Sequence, residues 1–118
     1  DENDGLLATI TDRDIAMAAY INWKSLADIP ITKVQSQFLV CCGPEDDIDD
    51  VEKAMQSTRV RRIPVVDNTA RMVGIISLND IALACRAGKK GVNVNDLSET
   101  LAAICSHERS CGHIAAVA

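Results

Sequence analysis

The sequence predicts an α/β (α+β) fold: a small three-stranded sheet with helices packed on it, arranged as a tandem repeat. Three observations carry this reading. Ile63-Pro64-Val65-Val66 and residues 72–76 are short apolar runs on either side of a polar turn, Asp67-Asn68-Thr69-Ala70, the pattern of two adjacent strands. Ser77-Leu78-Asn79-Asp80 follows at once. Its hydroxyl and carboxylate stand three residues apart, so each can meet an unpaired backbone N–H at a helix start. The same strand-to-helix unit also occurs twice. Leu7-Ala8-Thr9-Ile10-Thr11-Asp12-Arg13-Asp14-Ile15-Ala16 runs parallel to residues 73–82 at an offset of 66, with Thr11 matching Ser77 and Asp14 matching Asp80.

These residues resemble a known family. RRIPVVD…MVGIISLNDI is similar to the second half of a CBS domain, the cystathionine β-synthase regulatory module, which comes in tandem pairs called Bateman modules. The family pattern carries Leu/Ile-Pro-Val-Val on one strand, then Gly-apolar-apolar-Ser/Thr-x-x-Asp across the next strand and its helix. Residues 63–80 match throughout. Residues 8–14 match except that Ala8 stands where the Gly usually is. The resemblance covers about residues 1–87. It implies that residues 1–27 are the C-terminal half of a first repeat and 28–87 a complete second repeat, leaving 88–118 as a C-terminal helix and a flexible tail. The first repeat's opening strand and helix are then missing from this sequence. Either residues before Asp1 or another copy of the chain would supply them.

Composition narrows the function classes. At 118 residues with 47% apolar content, the chain can bury a core and is one domain or a compact pair. No apolar run nears the roughly 20 residues of a membrane span, and no basic-then-apolar leader opens the chain. A net charge of −5 and 3% aromatics argue against a nucleic-acid binder, which needs a basic face and stacking platforms. Cysteines at 41, 42, 85, 105 and 111 form no disulfide framework and read as reduced thiols in the cytoplasm. Cys41 and Cys85 are expected to pack as small core residues.

In chain order, residues 1–5 have turn composition. A strand is expected over residues 6–10 and a helix from about 12 to 21, with Ile15, Ala18 and Ala19 on one side. Ile29-Pro30-Ile31 reads as extended, because a proline biases its predecessor away from the helical region, and a short helical turn fits residues 32–35. Phe38-Leu39-Val40-Cys41 is the expected first strand of the second repeat, broken by Gly43-Pro44. Acidic Glu45-Asp46-Asp47 then opens a helix with Ile48, Val51, Ala54 and Met55 on its apolar face. After the hairpin and second capped helix, Gly88 fits the stop position. Asn95 is the expected cap of a last helix over 96–105, with Leu97, Leu101 and Ile104 on one face.

The functional reading follows from the resemblance and from the chemistry of a helix start. Unpaired N–H groups and the positive dipole end after residue 76 suit a phosphate. Ser77 can donate to a ribose or phosphate oxygen, Asn79 lies in the same turn, and Asp80 suits two ribose hydroxyls. Val40, Val60, Ile63 and Pro64 are expected to wall an adenine, with Arg61 and Arg62 pairing phosphate beside Arg59. In CBS domains the matching Ser/Thr and Asp commonly contact nucleotide. Thr11, Arg13 and Asp14 form the equivalent half of a first site, whose other walls fall in the missing segment. The same Ser-x-x-Asp is also an ordinary capping device, and the arginines can equally serve as a solvated strand edge.

No catalytic constellation appears, so the chain reads as a non-catalytic regulatory protein sensing AMP, ADP or ATP and forming a homodimer. Two alternatives stand beside this. One is a ligand-free dimerisation or interaction module. The other is a metal- or thiol-dependent stress protein acting through Cys105, His107, Cys111 and His113, which gather two thiols and two imidazoles in nine residues. That spacing matches no common zinc finger, so no metal is expected.

Overall fold

The structure, a computed structural model, describes residues 2–106. The elements run α1 (Asp12–Asn22), two single-turn 3-10 helices (Leu26–Asp28 and Ile31–Lys33), α2 (Ile48–Thr58), β1 (Arg62–Val66), β2 (Met72–Ser77), α3 (Leu78–Arg86) and α4 (Val94–Cys105). Mixed helices and a small antiparallel sheet confirm the expected fold class. Among the described residues the sheet has two strands, β1 and β2, rather than three.

The hairpin turn is held by one side chain. Asp67 Oδ1 accepts from the Thr69 amide (2.8 Å), the Thr69 hydroxyl (2.7 Å) and the Arg71 amide (3.0 Å). A carboxylate that satisfies three donors at the tip lets Ala70 sit at φ 62° without a glycine.

The described residues group into two compact units, one of residues 2–45 with 64–75, the other of 46–63 with 76–106. In the first unit, Thr11 caps α1 and Ala18 is its buried residue. Helix α1 ends where Trp23 turns left-handed at φ 50°. Residues 6–10 do not form the expected strand. Pairing there stops at a single bridge, Gly5 to Arg71, with a bond from the Leu6 amide to the Ala70 carbonyl. The backbone groups of Thr9 are diverted to Ser36: its amide donates to Ser36 Oγ (3.2 Å) and its carbonyl accepts from the Ser36 amide (2.8 Å). Residues 38–41 are not a strand either. Cys42 makes one parallel bridge with Val65, through bonds to the Pro64 carbonyl and from the Val66 amide. The next rung back would need an N–H on residue 64 for the Val40 carbonyl, and proline has none. The buried thiol of the pair is therefore Cys42, while Cys41 is exposed and Cys85, in the second unit, is half-buried.

In the second unit α4 packs against both α2 and α3. Met55 and Ile63 are 0% exposed and Ile81 is 2% exposed, so α2, β1 and α3 each send a side chain to one core, joined by Val51. Helix α2 starts at Ile48 as its acidic first turn suggests, and ends with Arg59 at φ 55°. The last helix starts two residues earlier than expected. Asn93, not Asn95, is its cap, accepting from the Asp96 amide at 2.9 Å while its own amide bonds the Asp96 carboxylate. Gly88, at φ 68°, follows the C-cap Ala87 as expected.

Truncating a fully enclosed side chain removes its transfer free energy and leaves a cavity. We expect Met55→Ala to cost about 2–5 kcal/mol in urea unfolding, and Leu83→Ala, half-exposed on α3, under about 1 kcal/mol. A loss at Met55 no larger than that at Leu83 would move the core elsewhere.

Candidate functional site

The second unit contains a cavity of about 390 Å³, lined by Arg61, Arg62, Ser77, Leu78, Asn79, Ala82, Leu97 and Leu101. That volume falls in the range of small-molecule sites. Arg61 and Arg62 lie where β1 begins, Ser77 ends β2, Leu78 to Ala82 form the first turns of α3, and the two leucines come from α4. One wall is cationic, one is a helix start, and one is aliphatic.

The helix start has a closed reciprocal arrangement. Asp80 Oδ2 accepts from the Ser77 amide (2.8 Å) and the Ser77 hydroxyl (2.5 Å), and the Asp80 amide donates to Ser77 Oγ (3.2 Å). The Leu78 amide donates to the Arg61 carbonyl at 2.9 Å, which ties the arginine pair to the first turn of α3. Of the first-turn amides at 78, 79 and 80, only Asn79 has no acceptor among the described residues. The Ser77 proton is committed to Asp80, so towards a ligand Ser77 offers a lone pair rather than the donor that its residue type suggests. The box uses Oδ2 of Asp80 alone. It holds the Asp80 carboxyl below its usual range, first through the Ser77 hydroxyl and then through the Ser77 amide.

Among the described residues no carboxylate pairs with Arg61 or Arg62, and both are exposed. Arg61 Nη2 donates to Cys105 Sγ at 3.9 Å, at the end of α4.

Four sequence-derived site residues thus meet in the cavity: Arg61, Arg62, Ser77 and Asn79. Asp80 stands behind Ser77 and shapes the turn. Ile63 does not line the cavity, because its side chain is enclosed in the core, and Val60 is half-buried outside the lining. Val40 and Pro64 belong to the first unit, where Pro64 is buried and its carbonyl accepts from Cys42. The apolar wall is instead Leu97 and Leu101 with Leu78 and Ala82. The signal for the two leucines was their spacing of four on the last helix, which reads equally well as a packing face.

The earlier copy of the motif folds the same way. Asp14 Oδ2 accepts from the Thr11 amide (2.9 Å) and hydroxyl (2.7 Å), and the Asp14 amide donates to Thr11 Oγ1 (3.2 Å). The cavity of that unit, about 200 Å³, is lined by residues 5–10 with Ile31 and Gln35 and includes none of Thr11, Arg13 and Asp14. Of the cysteine–histidine group, Cys105 is exposed, and His107, Cys111 and His113 lie outside the described residues.

A two-strand hairpin feeds a capped helix with a basic pair across from the cap, and comparison with known proteins gives the family of this arrangement. The model of the CBS domain matches residues 26–87, and the chain belongs to that family. It is 33% identical over 82 residues to the CBS domain-containing protein YhcV of Bacillus subtilis, covering 70% of this chain and 57% of that protein. It is likewise 33% identical over 81 residues to the inosine-5'-monophosphate dehydrogenase of Methanocaldococcus jannaschii, which is 69% of this chain but 15% of the enzyme. The chain therefore spans little more than half of one relative and a small part of the other. Among solved structures it is similar to the CBS domain pair of protein MJ0100 in complex with 5'-methylthioadenosine and S-adenosyl-L-methionine. The TM-score is 0.62 at 28% identity, covering 75% of this chain and 68% of that one.

Three carboxyls share one electrostatic signature. Asp14, Asp67 and Asp80 are held below the ordinary 3.8 mainly by the hydroxyls of Thr11, Thr69 and Ser77, with backbone amides adding to it. As pH falls, the unfolded chain takes up these protons first. The stability they supply is complete above about pH 4–5 and is lost as pH drops through the lower folded values. We expect the urea midpoint to fall steeply below about pH 4, and Asp80→Asn to lower stability at pH 7 while flattening that acid limb. An acid limb of unchanged slope in the variant would remove Asp80 from the set.

Proposed function

We propose that the chain is a non-catalytic regulatory CBS module that binds an adenine nucleotide in the Arg61–Leu101 cavity. The observation that carries this reading is the juxtaposition of two arginines, without carboxylate partners among the described residues, with the first turn of α3, inside a cavity of ligand size. The arginine forks and the Asn79 amide take phosphate oxygens. Ser77 accepts from a ribose hydroxyl, and Asp80 keeps Ser77 in place through the closed box. The aliphatic side chains of Leu97 and Leu101 pack against the base.

The related CBS pair of MJ0100 holds adenosine derivatives, which supports the adenosine part of the ligand. The charge of this site selects among such ligands. A sulfonium cation gains nothing beside Arg61 and Arg62, whereas a phosphate gains two charge-assisted contacts. AMP, ADP and ATP therefore rank ahead of S-adenosylmethionine. The Ser77 hydroxyl and the Asp80 carboxylate are in mutual reach but spend their bonds on capping α3, and in this reading occupancy, not turnover, is the output.

We further infer that the working unit is a homodimer. Helix α1 exposes Met17, Tyr20 and Ile21, and Trp23 at its end is 86% exposed, a density of apolar surface that a second copy would cover. No helix of the described residues is long and apolar enough to cross a membrane, and no such span is part of this reading.

Calorimetry with AMP, ADP, ATP and S-adenosylmethionine tests the site. We expect at least one nucleotide to bind with a stoichiometry of one per chain, and Arg61→Ala or Arg62→Ala to weaken it roughly 10- to 100-fold, the worth of one charge-assisted contact. Asp80→Ala should weaken binding while the protein stays folded by circular dichroism. Absence of heat and of thermal shift with all four ligands would leave the interaction-module reading in its place.

A further inference from the structure

We propose that Asp49 and Glu52 of α2 and Asp96 of α4 form a binding site for a divalent cation of calcium's size. Each offers a carboxylate oxygen, and the three oxygens lie within 4.8 Å of one another. Three acidic side chains at a surface are commonplace, and the argument for a ligand comes from Glu52. It is 2% exposed, and its Oε2 has no hydrogen-bond partner among the described residues.

Its other oxygen fares little better. Thr100 Oγ1 stands 3.4 Å from Glu52 Oε1, but the same hydroxyl lies 2.8 Å from the Asp96 carbonyl and accepts from Gln56 Nε2 at 2.8 Å. A hydroxyl has one proton. Its shorter bond goes to the carbonyl, so the Glu52 carboxylate is left almost without donors. Among the described residues no basic side chain pairs with Asp49, Glu52 or Asp96, and Lys53 faces Asp50 at 3.3 Å on the exposed side. A buried, donorless carboxylate between two others requires positive charge from outside the chain.

The upper bound on the oxygen separations admits calcium. Calcium takes carboxylate oxygens at about 2.3–2.6 Å, so ligands on opposite sides stand about 4.6–5.2 Å apart, and oxygens spread up to 4.8 Å can all touch it. Magnesium, at about 2.0–2.1 Å, reaches across only about 4.2 Å and holds its waters more firmly. Three carboxylates without a dedicated loop suit the weak end of calcium sites, with dissociation constants on the order of 10⁻⁴–10⁻³ M. The competing way to neutralise the trio is a proton. Burial, the Asp96 charge and the Asp49 charge all push the Glu52 carboxyl up, with the Thr100 hydroxyl opposing them.

The test uses the full chain freed of metal by a chelator. Titration with calcium chloride at pH 7 should give one saturable site per chain and raise the unfolding temperature, with magnesium chloride giving a smaller shift. Asp49→Asn and Asp96→Asn should each weaken calcium binding at least tenfold while remaining folded by circular dichroism. Glu52→Gln should abolish the calcium response, and without metal it should unfold no earlier than the parent, since it removes a buried charge. A parent chain that ignores calcium, yet becomes more heat-stable from pH 7 to pH 5, would assign the site to a proton and overturn the proposal. So would a calcium shift of equal size in the parent and in all three variants.

Discussion

The exchange of bonds between Ser77 and Asp80 decides how β2 becomes α3, and most of the second unit depends on it. A strand that ends on a side chain able to satisfy the next helix's amides can turn into that helix without an intervening loop. Ile81 then arrives in the core beside Met55 and Ile63, and Arg61 is held to the Leu78 amide by its carbonyl. One local arrangement thus fixes a core contact, a cationic wall and the floor of the cavity. The same bonds limit what the helix start can offer a ligand, because a donor used for capping is not available for binding. In this chain the cap takes the Ser77 proton and the Asp80 amide, which leaves Arg61 and Arg62 as the cationic wall of the cavity.

Helix α4 has a larger part than its position near the end of the chain suggests. It closes the cavity with Leu97 and Leu101, it brings Asp96 to the acidic trio with α2, and its Thr100 is buried between Glu52 and Gln56. The residues lining the cavity, Leu97 and Leu101, directly follow those facing α2, Asp96 and Thr100, so neighbouring faces of one helix serve both. Whatever holds α4 against α2 therefore also holds the aliphatic wall of the cavity.

The elements with strong local signals were legible in the sequence. All four helices, the hairpin and both capping boxes follow from period, turn residues and the hydroxyl–carboxylate spacing, and the repeat located the second box from the first. What escaped is what depends on partners distant in the chain. Residues 6–10 and 38–41 have the composition of strands, but Thr9 gives its backbone to Ser36 and Pro64 withholds a rung from Val40. Periodicity cannot see either event. For the site, the polar residues Arg61, Arg62, Ser77 and Asn79 were readable because they belong to one continuous motif. The apolar walls were not. Ile63 is as apolar as a ligand wall should be and is fully enclosed by its own core, while Leu97 and Leu101 do the covering from some thirty-five residues away. Asn93 and Asn95 are equally good caps by type, and only the Asp96 bond distinguishes them.

Among the described residues four other than glycine carry positive φ: Asp4 near the start, Trp23 after α1, Arg59 after α2 and Ala70 in the hairpin. Left-handed backbone of this kind costs on the order of 1–3 kcal/mol per residue and persists only where neighbouring bonds insist on it. The molecule thus carries an unclaimed reserve of thermal tolerance, stored in its bends and not in its interior. A lineage driven toward hotter surroundings would find room to move there before touching a single residue of the Arg61–Leu101 cavity.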